Sequence, residues 1–125
     1  MEKRVVDEWI KYATNDFEAA KILLADNRPK IEIICFLCQQ AAEKILKAYL
    51  YAKDIEPPKT HDLNFLVEMC IKEDINFEEV AGICERLTEY GVLPRYPFGA
   101  EVEERDMRLA IEDARKILEF VKGKI

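Results

Sequence analysis

The first predicted helix carries a carboxylate on its apolar face. Asp16 stands three residues after Ala13 and four residues before Ala20, so the three share one side of a helix. A charged group in that position needs a partner when it leaves water. The favoured interpretation is a structural ion pair with a neighbouring helix. The alternative is a ligand-binding carboxylate at the rim of an internal cleft.

The second predicted helix carries a run of polar residues along one flank. Gln40, Glu43, Lys44 and Lys47 follow one another at helical spacing. Two lysines beside an amide group are able to hold a phosphate, which makes Lys44 and Lys47 candidate ligand-binding residues. A charge run of this kind is more often a solvated helix face, and the spacing alone leaves both interpretations open.

His61 is the single histidine of the chain and lies at the predicted start of a helix, between Thr60 and Asp62. Backbone N–H groups at a helix N-terminus suit an anion, so His61 is a candidate ligand-binding residue. A catalytic role requires a second, positioned group, because general acid–base catalysis depends on geometry as well as on the titrating side chain. A structural role is the more common one for an isolated histidine.

The last candidates, Arg95 and Tyr96, lie in a short segment rich in proline and aromatic residues. Arginine and tyrosine together are suited to stacking on a base and binding its phosphate. In the alternative interpretation, the tyrosine rings pack on the end of the bundle and Arg95 pairs with Asp16 or Glu89. Both interpretations stay open, and His61 with Arg95 is a candidate pair for catalysis.

Periodic apolar residues predict the helices that position these candidates. No segment shows sustained strand alternation, so the sequence predicts an all-α fold, an antiparallel up-and-down helical bundle formed by one domain over residues 1–125. The second helix is apolar nearly all round in its first half, which predicts contact with more than one neighbour. The five predicted helices cover residues 4–25, 31–53, 61–73, 77–90 and 101–122.

Capping residues predict where the later helices begin and end. Thr60 is the predicted N-cap of the third helix, and Asn76 with Glu79 predicts a capping box for the fourth. Gly91 is the candidate for the residue that follows the fourth helix in the left-handed region.

Charge and cysteine content exclude several classes of function. The net charge of −6 argues against a whole-surface polyanion binder, but it is compatible with a small phosphate or RNA site. Cys35, Cys38, Cys70 and Cys84 do not form the paired clusters of a structural zinc site, so we expect them to pack as small hydrophobes, with no metal and no cofactor. The chain shows neither a signal peptide nor a membrane-spanning segment, which predicts a cytoplasmic protein that does not bind a membrane.

Four motifs in order resemble the small stand-alone HEPN domain proteins of bacteria and archaea (higher eukaryotes and prokaryotes nucleotide-binding). Together they cover essentially the whole chain. The motifs are Trp9 with Asp16-Phe17, Gln40-Ala-Ala-Glu43-Lys44-Ile-Leu-Lys47-Ala48, Thr60-His61-Asp62-Leu63, and Tyr90 with Arg95-Tyr96-Pro97.

The resemblance implies a helical bundle that forms a homodimer, with a cleft near the dimer interface. Many members of the family are encoded beside a minimal nucleotidyltransferase and act with it as a toxin–antitoxin pair, and many are metal-independent ribonucleases. Their ribonuclease signature is an arginine followed, after four to six residues, by a histidine. Neither Arg86 nor Arg95 has a histidine at that spacing in this sequence.

The sequence thus supports three functional hypotheses. The first is a homodimeric module that binds a nucleotide or an RNA phosphate through Lys44, Lys47 and Arg95 and partners a minimal nucleotidyltransferase. The second is a divergent metal-independent RNA endonuclease that uses His61 and Arg95. The third is a structural interaction protein without a ligand, with the apolar half of the second helix as its dimer face. The missing histidine favours binding over cleavage.

Overall fold

The computed structural model describes residues 2–91 and 102–125. Within that part the chain forms five α-helices and two short 3₁₀ turns, and no strand. The prediction of an all-α bundle of five helices is therefore confirmed. The elements are, in order, α1 (Lys3–Leu24), α2 (Ile31–Ala52), α3 (Leu63–Glu73), the 3₁₀ turn Ile75–Phe77, α4 (Glu78–Leu87), the 3₁₀ turn Thr88–Tyr90, and α5 (Glu104–Lys122).

The helix α2 lies at the centre of the bundle and packs on α1, α3, α4 and α5. Ile34, Cys38, Ala41 and Ile45 have no exposed surface. Burying one such large aliphatic side chain stabilises the fold by roughly 1.5–3 kcal/mol relative to leaving it exposed. The predicted contact with more than one neighbour is confirmed, and it explains why the first half of α2 is apolar nearly all round.

The apolar half of α2 divides into a buried and an accessible side. Ile34, Cys35 and Cys38 are buried against helices of the same chain. Ile33 is 41% exposed, and Phe36 and Leu37 are half-buried. The dimer face of the third hypothesis is thereby limited to this accessible side, and it stays a prediction.

The start of α3 differs from the prediction, because Asp62 and not Thr60 caps it. The Asp62 carboxylate accepts a hydrogen bond from the backbone N–H of Asn64 at 2.9 Å, and the helix begins at Leu63. The hydroxyl of Thr60 instead accepts from the N–H of Asp62 at 3.1 Å. Threonine therefore forms a turn before the helix, and the aspartate supplies the stronger cap.

The start of α4 also differs from the prediction. The Asp74 carboxylate accepts from the N–H of Asn76 at 3.0 Å, which initiates the 3₁₀ turn, and α4 follows from Glu78. The predicted capping box at Asn76 is wrong, because the aspartate two residues earlier takes that function. Gly91 ends the second 3₁₀ turn with a φ of −73°, so it is not in the left-handed region.

The end of α2 directs the chain into the loop that carries His61. Asp54 adopts a φ of 60°, in the left-handed region that aspartate tolerates better than most residues. The N–H of Asp54 donates to the carbonyl of Tyr51 at 3.0 Å, and the N–H of Ile55 donates to that of Leu50 at 2.9 Å. This pair of hydrogen bonds is a Schellman motif, which satisfies the last carbonyls of the helix.

Side chains from all five α-helices contribute to one hydrophobic core. The four cysteines are buried, as predicted. Burial raises the pKa of Cys70 and Cys84 to about 12 and raises the pKa of Cys38 as well, so the thiols stay neutral. Among the described residues, no group of His, Cys, Asp and Glu side chains is placed to hold a metal ion. None of the helices in that part is both long and apolar enough to span a membrane.

Candidate functional site

Asp16 forms an ion pair between α1 and α2. Its Oδ2 lies 2.6 Å from Nζ of Lys44, and the two side chains are 20% and 27% exposed. The antiparallel course of α1 and α2 produces this contact, because it places the middle of α1 beside the middle of α2. The partner on a neighbouring helix is the one that the position of Asp16 called for, and both side chains of the pair remain partly accessible to water.

Glu43 is a buried carboxylate with two partners. Its Oε2 accepts from Nζ of Lys47 at 3.0 Å, one helical turn away on α2, and its Oε1 lies 2.8 Å from Nδ1 of His61. The Glu43 side chain is only 6% exposed and the Lys47 side chain 10%. A buried charge is tolerated when it is paired and hydrogen-bonded, and both oxygens of Glu43 meet that condition.

His61 is fixed at two points although its side chain is 71% exposed. An ionised carboxylate only accepts hydrogen bonds, so Nδ1 of His61 is the donor in this contact, and Nε2 does not take part in it. The backbone carbonyl of His61 accepts from Nε2 of Gln39 at 2.9 Å, and the Gln39 amide oxygen accepts from Gln40 at 2.7 Å. A Cβ at Gly91 would come within 3.2 Å of Gln39, so glycine at that position leaves room for the amide.

The α1–α2 cleft is a cavity with a volume of about 680 Å³. It combines apolar and charged side chains in one open depression. The lining residues are Arg4, Val5, Glu8, Trp9, Tyr12 and Lys44.

The two aromatic residues of the cleft differ in how they are held. Trp9 stacks on Tyr51 with ring centroids 5.5 Å apart, and Nζ of Lys47 lies 5.9 Å from the Trp9 ring centroid. Tyr12 is 52% exposed. Trp9 therefore forms a fixed apolar wall, whereas Tyr12 offers a ring to which a ligand has access.

The α4–α5 groove is a second, smaller depression of about 320 Å³. At its base the Arg86 guanidinium donates two hydrogen bonds to Asp113, from Nε at 3.0 Å and from Nη2 at 2.8 Å. The Asp113 side chain is 1% exposed and the Arg86 side chain 48%. These hydrogen bonds raise the pKa of Arg86. The groove residues are Glu85, Arg86, Glu89, Tyr90, Asp106, Leu109, Ala110 and Asp113.

The structure brings the predicted candidates into two contact groups. Asp16 and Lys44 meet directly, and Lys47 and His61 meet through Glu43. Arg95 and Tyr96 lie outside the described residues, so their predicted contacts are not tested.

Sequence reasoning singled out Trp9 of the cleft, but it missed the other cleft residues of α1 and the buried carboxylate of α5. Arg4, Glu8 and Tyr12 recur every four residues and form one ridge of α1, which is a visible signal. Asp113 stands three residues after Ala110 and four before Ile117. That is the pattern that drew attention to Asp16, and it identifies Asp113 equally well.

Comparisons with known proteins agree with this architecture. The model of the HEPN domain family matches residues 6–124. The crystal structure of TT1696 from Thermus thermophilus superposes with a TM-score of 0.82 at 25% identity, over 96% of this chain and 98% of that one. The crystal structure of ST0689, an archaeal HEPN homologue, gives a TM-score of 0.78 at 30% identity, over 99% of this chain and 98% of that one. No curated protein matches the sequence significantly.

Proposed function

Because this chain belongs to the HEPN domain family, we propose that it binds a nucleotide or an RNA phosphate in the α1–α2 cleft. One observation carries the proposal: the accessible ring of Tyr12 and two cations, Arg4 and Lys44, line the same cleft. An aromatic ring stacks on a base, and a nearby cation binds its phosphate. A concave, largely apolar cavity with a few convergent polar groups is also the usual form of a small-ligand site.

Lys44 supplies the phosphate contact while it keeps its ion pair with Asp16. An ammonium group has three donors, and the hydrogen bond to Asp16 occupies one of them. Lys47 has a different function in this proposal, because it is nearly buried, hydrogen-bonded to Glu43 and close to Trp9. It holds the wall of the cleft in place and does not contact the phosphate.

The test is a calorimetric titration of the full-length protein with AMP, GMP and UMP. We expect binding that Lys44→Ala weakens about tenfold, since a charged hydrogen bond contributes roughly 1.5–3 kcal/mol. Lys72→Ala removes the same charge from α3, away from the cleft, and should leave affinity unchanged. A native-state ligand also raises the melting temperature, which gives a second readout. Absence of binding and of any thermal shift at millimolar nucleotide rejects the proposal.

The proposal includes two protein partners and a cytoplasmic location, supported by the family membership and by the acidic net charge. The chain forms a homodimer and associates with a minimal nucleotidyltransferase, as a toxin–antitoxin pair, through a basic surface of that partner. Light scattering at micromolar concentration tests the dimer, and a monomeric mass rejects it. Co-expression with a neighbouring nucleotidyltransferase, followed by size-exclusion chromatography in low and high salt, tests the second partner.

A metal-independent RNA endonuclease is the second candidate, and the contact between Glu43 and His61 favours it. The buried carboxylate fixes the Nδ1–H tautomer, which leaves the exposed Nε2 free to accept a proton from a ribose 2′-OH. Glu43 thereby supplies the positioned second group that an isolated histidine lacks.

The test of this candidate is RNA cleavage in EDTA by wild type, His61→Ala, Glu43→Gln and Arg95→Ala. We expect cleavage by the wild type alone, with His61→Ala the most severe loss. Equal cleavage by all four proteins identifies a contaminating nuclease and rejects the candidate. Absence of cleavage by the wild type rejects it as well, and leaves nucleotide binding unaffected.

A further inference from the structure

We propose that Glu8 makes the α1–α2 cleft selective for guanine. The inference rests on the proposed binding of nucleotides in that cleft. It adds the class of base, which neither the family membership nor the shape of the cavity supplies. The observation behind it is the carboxylate of Glu8 among the lining residues, one helical turn from the accessible ring of Tyr12.

Four residues of α1 form a single ridge at successive spacings of four: Arg4, Glu8, Tyr12 and Asp16. The first three line the cleft. Neighbours at this spacing stand about 5–6 Å apart at their Cβ atoms. Lys44 is anchored at one end of the ridge by its ion pair with Asp16. The ring of Tyr12 therefore lies between the cation on one side and the carboxylate of Glu8 on the other.

This order fixes how a nucleotide lies in the cleft. A phosphate bound to Lys44, with its base stacked on Tyr12, directs the far edge of the base toward Glu8. In the reverse orientation the phosphate would bind Arg4, and the far edge of the base would meet Asp16, whose carboxylate is already hydrogen-bonded to Lys44. The ridge thus gives the ligand a defined direction.

The Glu8 carboxylate distinguishes bases by the hydrogen-bond donors on their far edge, because an ionised carboxylate only accepts hydrogen bonds. Guanine presents two adjacent donors, N1–H and the exocyclic amino group, which match the two oxygens of one carboxylate. Adenine and cytosine present an amino group next to a ring acceptor, so they satisfy one oxygen. Uracil presents a single N–H between two carbonyl oxygens, and those oxygens face the carboxylate unfavourably.

The experiment is a calorimetric titration of the full-length protein with GMP, IMP, AMP and UMP at one ionic strength. IMP lacks the exocyclic amino group of guanine and so isolates that contact. We expect GMP to bind about tenfold more tightly than UMP, the lower end of the discrimination found for a bidentate contact with a base, and IMP to lie between them. Glu8→Gln should reduce the preference to less than about threefold. Asp7→Asn removes the same charge from the adjacent exposed residue, which does not line the cleft, and should preserve the preference.

The outcomes separate this inference from the proposed function. Equal affinity for all four nucleotides overturns guanine selectivity and leaves nucleotide binding intact. An equal loss for every nucleotide in Glu8→Gln shows that the carboxylate binds ribose hydroxyls, and this also overturns the inference. Absence of binding by any nucleotide rejects both. The pentanucleotide UUGUU shows whether the natural ligand is an RNA strand or a free nucleotide, with UUUUU as its control without guanine. Tighter binding of UUGUU than of GMP identifies an RNA strand, and the converse identifies a free nucleotide.

Discussion

The α1–α2 cleft and the α4–α5 groove each place a cation beside a carboxylate between two helices, yet the two regions differ in what the cation is free to do. In the cleft, Lys44 gives one hydrogen bond to Asp16, and both side chains keep a fifth or more of their surface exposed. In the groove, Arg86 gives two hydrogen bonds to Asp113, which is almost completely buried.

The burial of the carboxylate decides which of the two cations is available to a ligand. The two hydrogen bonds to the buried carboxylate fix the orientation of the Arg86 guanidinium. Arg86 therefore serves to compensate the negative charge of Asp113. The rim of the groove adds Glu85 and Asp106, which disfavour an anion. The cleft also adds a carboxylate, Glu8, but it offsets this charge with a second cation, Arg4, and it adds the accessible ring of Tyr12. An ion pair is therefore evidence of a ligand site when its donors are incompletely used and its surroundings suit the ligand.

The largest effect should come from breaking the pair in the groove. Arg86→Met leaves Asp113 buried without its guanidinium partner. We expect the free energy of unfolding to fall by about 2–4 kcal/mol. This is at or below the loss for a fully buried pair, because Arg86 is half exposed. Urea denaturation followed by circular dichroism measures it. Arg108→Met breaks an exposed i,i+4 pair with Glu104 and should cost about 0.5 kcal/mol or less. Equal effects of the two variants would remove the structural distinction between the regions.

The cleft should respond in the opposite way, with a loss of affinity and little loss of stability. Tyr12→Ala removes the accessible ring and should weaken nucleotide binding about tenfold, as expected for one base–aromatic stack of roughly 1–3 kcal/mol. Calorimetry measures the affinity, and urea denaturation checks the fold. Phe65→Ala is the matched control, because Phe65 is a similarly exposed aromatic residue on α3. An unchanged affinity in Tyr12→Ala would contradict stacking on this ring.

A charge change at the rim of the cleft should increase affinity. Asp16→Asn removes the negative charge beside Lys44 and leaves an amide of similar size. We expect phosphate-bearing ligands to bind about threefold to fivefold more tightly, since unit charges close together near a protein surface interact by roughly 1 kcal/mol or more. Glu18→Gln, which frees Lys21 on the exposed side of α1, serves as the control and should have no effect. A decrease in affinity for Asp16→Asn would mean that the aspartate positions Lys44 for the ligand.

The sequence predicted the helices well because their signal is local. Ile34, Cys38, Ala41 and Ile45 repeat at helical spacing, and all of them are buried in the structure. Helix starts were less predictable, since Thr60, Asp62 and Asp74 all resemble caps and small differences in backbone geometry decide which of them acts.

The sequence predicted several residues of the candidate site but not the contacts between them. The position of Asp16 called for a partner, but Lys44 is 28 residues away, and only the register of α1 against α2 brings them together. The contact of Glu43 with His61, 18 residues apart, depends in the same way on the turn at Asp54 and on the loop after it. Cleft residues such as Tyr12 carry no individual signal, because an exposed tyrosine on a helix is common.

The smallest effect on stability should come from the ion pair between Lys124 and Asp74. It lies outside the cleft and the groove and serves as a reference for the ion pairs in those two regions. Hydrogen bonds from Lys124 and from the backbone of Asn76 lower the pKa of Asp74, with the lysine as the first cause. Because the pKa is lower in the folded protein, this pair stabilises the fold above the pKa of an unfolded aspartate, about 3.9. The contribution disappears as the pH falls through the lowered pKa.

Lys124→Met should therefore reduce stability slightly at pH 6 and have no effect at the lowest pH at which the protein stays folded. Denaturation of the variant and the wild type at both pH values measures this difference, and Lys122→Met, two residues earlier, provides a control. An effect that persists at low pH would assign the contribution of Lys124 to its packing over the ring of Phe120, where Nζ lies 5.5 Å from the centroid, and not to its charge on Asp74.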